Sequence, residues 1–472
     1  MPQYYSIKKL LRDINTTLAH AKTPLTNFKF NITTEEDQKS YPYWPLFFCK
    51  PEDDCCSLDI DCCSLSIAIR LISLSRQSLT QEQTDNLNSA ILLLLKMRNN
   101  NGSWPSIFQN NSNKISAEGV INDTVIALEA LLDYGFLEDE SCNAVFKDLQ
   151  NIATKTDRIN FFYKSIEWLL NNKIEAGWYY TTTEYIVNKN VIHPATQPTA
   201  ATLLLLYRAY LLFYKIKDDR KNDIFASYNS GCRVLIEMTR EDGGMGKNNT
   251  DVSRIVHTCL AFTAIAINKE TPYNQQLQTM LSYIVNNSSP HAVTKLTSDD
   301  YFDTYNQNII TTGNKLKYRQ INHETCPEAT IAEAYSLSIE NPLNLGFSSV
   351  KKYKFYRNFR YLATSIMSAQ TKTGDFTGAF KCKRLLKHEF YPIYTLWNST
   401  KVLSKMQQRH EYLSQKYYIY LNILIFLLTC AIILGILKIT NNTIDTNGVI
   451  ASIVASIICS SFVLIYQYYK SK

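Results

Sequence analysis

A short pattern recurs along this chain: a glycine-containing turn, a variable polar stretch and then an apolar helix. The turns read "NNNGSWPS", "IEAGWYY", "REDGGMGK" and "TKTGDFTG". A repeat of this kind limits the chain to folds that use one helix–turn unit many times. Six apolar segments align on their first helical turn: "IDCCSLSIAIRLI" from Ile60, "NDTVIALEALL" from Asn122, "QPTAATLLLLY" from Gln197, "VHTCLAFTAIA" from Val256, "CPEATIAEAYSL" from Cys326 and "YPIYTLWNSTKVL" from Tyr391.

The six segments are apolar around most of their circumference, which is typical of helices buried on more than one side. More amphipathic segments alternate with them, such as "TDNLNSAILLLLKM" and "FFYKSIEWLLNN". An inner ring of apolar helices inside an outer ring of amphipathic helices is a closed toroid. We therefore predict an all-α fold, an (α/α)6 toroid over residues 41–406 that follows an N-terminal helical segment at 1–40.

The last fifty residues differ in kind from the rest. Residues 419–437 and 449–465 are apolar runs of about the length that crosses a bilayer as a helix, and a polar turn separates them. Lysines and arginines precede the first run and follow the second, so the positive-inside rule places both chain ends and the toroid in the cytosol. We predict a transmembrane hairpin over 407–472 and a two-span membrane protein in contact with membrane lipids.

The second apolar run carries small residues at every fourth position: Gly448, Ser452, Ser456 and Ser460. Small residues on one face let helices approach closely in lipid. They can serve packing against the first run, association of several copies of the chain, or both. A homo-oligomer formed through the hairpin is therefore an expectation.

Composition narrows the classes of function. Apolar residues make up 45% of the chain and charged residues 19%, which supplies a large core. The net charge of +7 is spread over short clusters and forms no basic stripe, so nucleic acid is not an expected partner. The N-terminal apolar run contains charges, unlike a signal-peptide core, so the twelve cysteines are expected to be reduced thiols.

Residues at the aligned first turns would surround one mouth of a central cavity, the usual place for a binding site. Three of these residues are ionisable, which makes Asp61, Asp123 and His257 candidate catalytic residues. Asp123 can be a catalytic acid or only a helix cap, and both interpretations remain open. The position before the first-turn threonine, or its equivalent, holds Asp61, Asp123, Pro198, His257, Pro327 and Pro392.

Four of the seven histidines lie within about one turn of an inner-helix start: His193, His257, His323 and His388. Imidazoles at a cavity mouth can bind a ligand, relay protons or bind metal, so His193, His323 and His388 are candidate ligand-binding residues. The alternative is a capping or stacking role. His257, His323, Cys326 and His388 lie on three successive inner helices and offer nitrogen and sulfur ligands that suit zinc. Zinc is therefore one hypothesis, and the cofactor is otherwise unknown.

The alternating helices, the glycine–aromatic turns after an outer helix ("LLKMRNNNGSW") and the Asp-Thr helix start at 123–124 resemble the prenyltransferase and squalene-cyclase repeat. Terpenoid cyclases and the β subunits of protein prenyltransferases share this toroid, and the likeness covers roughly residues 40–405. The resemblance implies an isoprenoid or other hydrophobic small molecule in the central cavity. The same toroid also serves as a non-catalytic module.

Prenyltransferase β subunits hold zinc with an Asp-x-Cys pair on one inner helix and a histidine of an "HTC" run on a later one. The run "DVSRIVHTC" matches that histidine with His257. Asp61 and Cys63 form an Asp-x-Cys pair, but they lie on the first inner helix, roughly opposite the fourth in a ring of six. The resemblance therefore does not imply an intact zinc site of this kind.

Class II terpenoid cyclases protonate an alkene or epoxide with an aspartic acid of an Asp-x-Asp-Asp-Thr motif. In "VINDT", Asn122 stands at the proton donor and Asp123 follows it, and an asparagine cannot donate that proton. The run "DIDCC" matches the first and third positions with Asp59 and Asp61. The resemblance thus implies Asp61 as a second candidate donor, in an altered context.

Two functions follow from these observations. The first is an enzyme or binding protein for an isoprenoid or lipid-like ligand, tethered to the membrane. The second is a non-catalytic toroid that senses a signal and regulates a membrane-assembling two-span effector, as in bacterial stress or phage defence. The histidine-rich mouth favours the first, and the two-span hairpin, which a cyclase does not need, favours the second.

Overall fold

The computed structural model describes most of residues 7–408. Outside it lie 1–6, 35–37, 46–47, 49–59, 75–78, 109–118, 138–144, 181–192, 297–301, 312–314, 341–346, 382–390, a few single positions and everything from 409 onward; for 302–324 only the backbone is described. The predicted spans at 419–437 and 449–465 therefore lie outside the described residues. Within the described part, no helix is both long enough and apolar enough to cross a membrane.

Six of the described helices are buried over most of their length and form the inner layer. They contain few charged residues, and their starts follow the sequence prediction closely. In chain order they are α3 (Cys62–Ser73), α5 (Ile121–Tyr134), α7 (Thr196–Lys215), α9 (Ile255–Ala266), α12 (Pro327–Glu340) and α14 (Ile393–Gln408).

The outer helices are amphipathic and bury one face against the inner layer. Thr80 and Thr154 begin two of them with capping boxes, in which the threonine side chain and a residue three positions later bond each other's backbone. The remaining helices are α1 (Ile7–His20), α2 (Thr23–Asn27), α4 (Gln81–Lys96), α6 (Lys155–Asn171), α8 (Lys221–Glu237), α10 (Asn274–Asn287), α11 (Pro290–Val293) and α13 (Ser349–Ala369).

The inner helices form a closed ring. Helix α3 packs on α5, α5 on α7, α7 on α9, and α9 on α12. Lys401 of α14 contacts Glu333 of α12 at 2.6 Å, and the Arg70 guanidinium of α3 lies 4.5 Å from the ring centroid of Trp397 of α14. Because each inner helix contacts its two neighbours, the layer closes on itself as the alternating pattern predicts.

One hydrogen bond repeats at the start of successive inner helices and defines the repeat unit. The residue that follows the glycine turn donates its backbone N–H to the hydroxyl of the first-turn threonine. Where that residue is a tryptophan, its indole also donates to the end of the preceding outer helix, Trp104 to Leu94 and Trp178 to Leu169. The three pairs are Trp104–Thr124 at 2.9 Å, Trp178–Thr199 at 2.9 Å and Met245–Thr258 at 2.8 Å.

The glycines of these turns are required by backbone geometry. Gly102 and Gly243 both have positive φ, of 103° and 81°. A Cβ on either would lie 2.8 Å from the Lys164 oxygen or 2.7 Å from the Thr279 oxygen, on the outer helices α6 and α10. Only glycine combines this φ with so close an approach to a neighbouring backbone.

The prediction of an all-α fold is incomplete, because the described residues include three two-stranded antiparallel sheets. One of these sheets is a long hairpin that begins at Phe302. Its ten-residue strands pair in register from Phe302↔Glu324 to Thr311↔Lys315. The strands are β1 (Phe30–Thr33), β2 (Ser40–Tyr43), β3 (Ile60–Asp61), β4 (Ile107–Phe108), β5 (Phe302–Thr311) and β6 (Lys315–Glu324).

In the described part of the chain, residues 16–405 belong to one compact unit, which contains the ring, and residues 7–15 together with 406–408 belong to a second. In the second unit, Gln407 donates a hydrogen bond of 2.7 Å to the Asn15 side chain. The domain boundaries predicted from the sequence stay predictions.

Candidate functional site

The repeated threonine bond shows which side chains face the middle of the ring. Thr124 faces the outer layer, because its partner Trp104 is anchored to an outer helix. A residue two positions earlier lies about 200° around the helix, at about 100° per residue, and so faces the axis. This places Asn122 of α5 and, by the same bond, Gln197 of α7 at the inner face of the first turn.

Half-buried side chains recur at helical spacing farther along the inner helices. They include Ile126 on α5, Ala201 and Leu204 on α7, and Leu260 on α9, four residues or seven residues after the first-turn positions. Outer helices cover the outer faces, so the open space beside these side chains lies inside the ring. These four side chains are apolar, and the part of the central space that they face is called the waist below.

A carboxylic acid lies at the start of α5. Asp123 is 2% exposed and accepts a hydrogen bond of 2.9 Å from the Ser106 hydroxyl through Oδ2. Burial, and then the negative charge of Asp61, raise the pKa of Asp123 to about 8. Asp123 is therefore protonated at neutral pH.

Asp61 caps α3, the neighbouring helix. Its Oδ1 accepts the Ser64 backbone N–H at 2.7 Å, and its backbone belongs to β3, which pairs with β4. Strand β4 directly follows Ser106, which bonds Asp123, and its Ile107 pairs with Asp61. The short sheet therefore holds the two acids near each other. The sequence prediction that Asp61 opens the first inner helix is confirmed.

The interpretation of Asp123 as a helix cap is wrong. Helix α5 begins at Ile121, and its N-cap is Val120, which makes no side-chain capping bond. Asp123 is the third residue of the helix, and its carboxyl accepts a hydrogen bond from the Ser106 hydroxyl. The sequence could not show this, because a buried first-turn acid and a cap share the same pattern.

Two thiols lie beside the acids. Cys62 Sγ is 3.9 Å from the backbone oxygen of Asp123, and both Cys62 and Cys63 are buried. Burial, with the charges of Asp61 and Asp123, raises the pKa of both thiols well above the usual value. Both cysteines are therefore neutral, and neither supplies a thiolate to the site.

The predicted alignment of first turns holds for three helices and fails for others. Asp123, Pro198 and His257 each precede a threonine that makes the repeated bond. In α12 the equivalent threonine is Thr330, whose N–H donates to Cys326, so Ala329 and not Pro327 corresponds to Asp123. Asp61 is the N-cap of α3, and it lies three positions before the residue of α3 that corresponds to Asp123.

The predicted histidine ring is brought together only in part. His257 is 1% exposed on the first turn of α9, and His193 is half-buried two residues before the N-cap of α7. His323 lies near the end of β6, opposite Asp303 and four residues before the first residue of α12. His388 lies outside the described residues, and Cys326 is buried at the start of α12 with a φ of 45°.

The zinc hypothesis is not supported by the described side chains, which contain no group of three or more metal-ligating residues. The side chains of His323 and His388 are not among them. The metal set of His257, His323, Cys326 and His388 therefore stays a prediction.

Charged residues that the sequence pattern did not indicate join the inner helices farther from their starts. Arg70 of α3 contacts Asp133 at 2.6 Å and Glu129 at 2.8 Å on α5, and Arg208 of α7 contacts the same two carboxylates. The two arginines hold the pKa of Asp133 below its usual value, although burial acts in the opposite direction. Charges within otherwise apolar helices were the signal that could have identified this cluster.

A second charged cluster joins α12 to α14. Glu333 lies 2.6 Å from Lys401 and 3.4 Å from Lys405. Burial raises the pKa of Glu333, but the two lysines outweigh it and hold the pKa at about 2. The inner helices therefore carry polar residues at their starts, apolar residues one or two turns later and paired charges farther along.

Comparisons with known proteins support the fold. No protein-family model matches the sequence, and no curated protein matches it either. A structure of D-mannose isomerase superposes with a TM-score of 0.53 at 10% identity, over 86% of this chain and 99% of that one. That enzyme is an α/α toroid, so the likeness shows that this chain has the same fold.

Two other solved structures match with lower TM-scores. The type II terpene cyclase MstE from Scytonema gives 0.45 at 12% identity, over 85% of this chain and 99% of that one. A family 76 glycoside hydrolase from a bovine Bacteroides thetaiotaomicron strain gives 0.47 at 10% identity, over 86% and 78%.

Proposed function

We propose that the toroid binds an isoprenoid-like ligand in its central cavity and that Asp123 donates a proton to it. The observation that carries this proposal is the state of Asp123, which is buried, protonated at neutral pH and adjacent to a second carboxylate. The apolar waist formed by Ile126, Leu204 and Leu260 suits a hydrocarbon chain. The resemblance of the repeat to terpenoid cyclases points to the same ligand class.

The pKa of Asp123 limits the chemistry. A carboxyl whose pKa is about 8 is a weak acid, so it suits protonation of a strained, oxygen-bearing group better than protonation of a plain alkene. With an epoxide, the proton of Asp123 would form an O–H bond as a ring C–O bond breaks and leaves a carbocation. Loss of a carbon-bound proton from the cation to the Asp123 carboxylate would restore the acid, and the product would be an isomer of the substrate.

The test is turnover of a farnesyl-type terminal epoxide by the purified full chain, followed by gas chromatography and mass spectrometry. We expect an alcohol product of unchanged mass from the wild type. Asp123→Asn is expected to lose at least about a hundredfold in rate, the usual contribution of a general acid.

Asp85→Asn is the matched control, because Asp85 is exposed on the outer helix α4 and bonds only its neighbour Gln81 among the described residues. Equal rates for Asp123→Asn and Asp85→Asn would contradict Asp123 as the donor. Binding of the epoxide without conversion by the wild type would reduce the proposal to a binding protein.

Anchoring to the membrane through 419–437 and 449–465 is part of the proposal and rests on the apolar sequence of these runs. Such an anchor would bring the cavity close to a lipid-dissolved ligand. The full chain is expected in the membrane fraction of cells and a chain that ends at Gln408 in the supernatant. The same fraction for both chains would contradict the anchor.

The small residues of the second run favour a second candidate function, in which the toroid regulates a hairpin that assembles in the membrane. This function predicts that induced full-length chain, with Asp123→Asn as readily as without it, makes cells permeable to a membrane-impermeant dye. Intact membranes in both cases would leave only the first function.

A further inference from the structure

Two carboxamides lie at equivalent positions of neighbouring inner helices. Asn122 and Gln197 each precede the first-turn threonine by two residues, on α5 and α7, which pack on each other. Both face the ring axis at the end of the cavity where Asp123 lies. Asn122 is 3% exposed and Gln197 is 8% exposed.

The hydrogen-bonding capacity of this pair is only partly used by the protein. Among the described residues, Asn122 Oδ1 has no donor, although it is fully buried. Gln197 Oε1 accepts the Tyr180 hydroxyl at 3.4 Å, which leaves its amide N–H groups for another acceptor. A buried acceptor without a donor costs about 1–3 kcal/mol, so the fold maintains it at a cost.

A free acceptor and a free donor on neighbouring helices suit a group that both donates and accepts a hydrogen bond, such as a hydroxyl. A hydroxyl can donate its hydrogen to Asn122 Oδ1 and accept from Gln197 Nε2. A carboxylate or phosphate would accept only and would leave Asn122 unpaired. An ammonium group would donate only and would leave Gln197 unpaired.

We propose that Asn122 and Gln197 form a subsite for a hydroxyl group on an otherwise apolar ligand. This inference rests on the proposed function, since it names the polar group of the same ligand. The apolar side chains of Ile126, Ala201 and Leu204 follow directly along α5 and α7, where the hydrocarbon part of such an alcohol would lie.

Three probes of one skeleton test the subsite: farnesol, farnesyl methyl ether, which lacks the donor, and farnesene, which lacks the oxygen. Each is titrated into the full chain at one fixed detergent concentration, and binding is followed by tryptophan fluorescence. We expect farnesol to bind about tenfold more tightly than the ether, the value of roughly one neutral hydrogen bond, and the ether to bind more tightly than farnesene.

Variants assign the two bonds separately. The Asn122→Leu variant is expected to bind farnesol no more tightly than the ether. The Gln197→Leu variant is expected to bind the ether no more tightly than farnesene. Asn122→Asp keeps an acceptor oxygen of the same shape and should keep the preference for farnesol, which leaves a test if the leucine variant fails to fold. Asn274→Leu, the same change at an exposed position of α10, is the control and should change nothing.

The outcomes separate the subsite from the proposed function. Equal affinity of the wild type for all three probes would overturn the subsite and leave an apolar binding cavity. A preference for farnesol that survives in Asn122→Leu, or disappears in Asn122→Asp, would overturn the assignment to Asn122. Binding of none of the three would overturn the proposed function and the subsite with it.

Discussion

At position 123 a carboxylic acid lies in a buried place where a carboxylate would be costly. Its surroundings come from three segments: Ser106 from the turn before α5, Asp61 from the start of α3, and the helix itself. Burial and the charge of Asp61 act in the same direction on the pKa of Asp123. The protonated form therefore follows from position in the ring, not from the residue type.

The first prediction concerns the charge on Asp61. Asp61→Asn removes the charge but keeps the cap on α3, since asparagine is as good an N-cap as aspartate. The pKa of Asp123 should fall, because a charge that raises it is gone. Activity that needs protonated Asp123 should then decline at lower pH than in the wild type, which a pH–rate profile on the epoxide measures.

An unchanged profile in Asp61→Asn would show that Asp61 does not affect the donor. Asp157→Asn serves as the comparison, because Asp157 also bonds at a helix start but belongs to the exposed capping box of α6. That variant should keep the pH dependence of the wild type.

The second prediction concerns stability. The folded-state pKa of Asp123 is about 8, against 3.8 for the free side chain, so the stabilising effect is complete below pH 4 and is lost as the pH rises toward 8. Asp123→Asn cannot ionise and should not show this loss. The free energy of unfolding of the variant, measured by urea titration, should therefore rise relative to that of the wild type from pH 5 to pH 8, by up to about 1.4 kcal/mol per pH unit.

A constant difference across that range would contradict the raised pKa. Asp85→Asn should give such a constant difference, since Asp85 is exposed.

At the scale of the element, the turn and the helix after it behave as one unit. A glycine with positive φ lets the turn pack closely against the backbone of the next outer helix. The residue after the turn then bonds the first-turn threonine. The same bond occurs at the starts of α5, α7 and α9 although tryptophan is replaced by methionine before α9. The backbone geometry is thus repeated more faithfully than the side chains.

The third prediction follows from this unit. Thr124→Val keeps the shape of the side chain but leaves the buried Trp104 N–H without its acceptor, which should cost about 1–3 kcal/mol. Thr263→Val on α9 is the matched control, because within the part of the chain that the structure describes the Thr263 hydroxyl bonds only the Cys259 carbonyl of its own helix. Urea unfolding should show a clearly larger loss for Thr124→Val, and equal losses would show that the turn bond is not important.

At the scale of the whole ring, closure depends on contacts that join the last inner helix to the first and to the fifth. Trp397 of α14 lies against Arg70 of α3, and Lys401 and Lys405 of α14 pair with Glu333 of α12. The contact between Trp397 and Arg70 joins residues that are more than three hundred positions apart in the chain. They make the toroid a closed layer instead of an open stack of repeats.

The fourth prediction concerns this closure. Glu333→Gln leaves Lys401 and Lys405 close together without their shared carboxylate. Because these side chains are half-buried, the loss should exceed the roughly 1 kcal/mol of an exposed pair and stay below the about 3–5 kcal/mol of a fully buried one. Glu237→Gln breaks an exposed pair with Arg233 and should cost under about 1 kcal/mol. Urea midpoints measure both, and similar losses would show that α14 is held in the ring by other contacts.

Much of the fold was readable from the residues. Asp61 marks the start of α3 through capping, which acts over a few residues. Thr124, Thr199 and Thr258 lie in the first turns of α5, α7 and α9, as the aligned segments predicted. The hairpin at 302–324 was missed, because its polar, amide-rich strands lack the alternation that marks a strand with one buried face.

The candidate site was only partly readable. The sequence indicated Asp61, Asp123 and His257 through their place at first turns, but it left Asp123 open between a catalytic acid and a helix cap. It did not indicate Asn122 and Gln197 as partners, nor the pairing of Arg70 and Arg208 with α5. Those relations depend on which helices are neighbours and on where each side chain points.

By itself the sequence determined the repeated helix–turn unit, the apolar inner helices, and two apolar runs near the C-terminus. These are local properties, set by hydrophobic periodicity and backbone preference within a few turns. Only the tertiary structure decided that Asp123 is protonated, that Asn122 lacks a donor among the described residues and that α14 closes the ring on α3. The physical reason is that burial, charge and hydrogen-bond satisfaction are properties of neighbours in space, which the order of residues does not state.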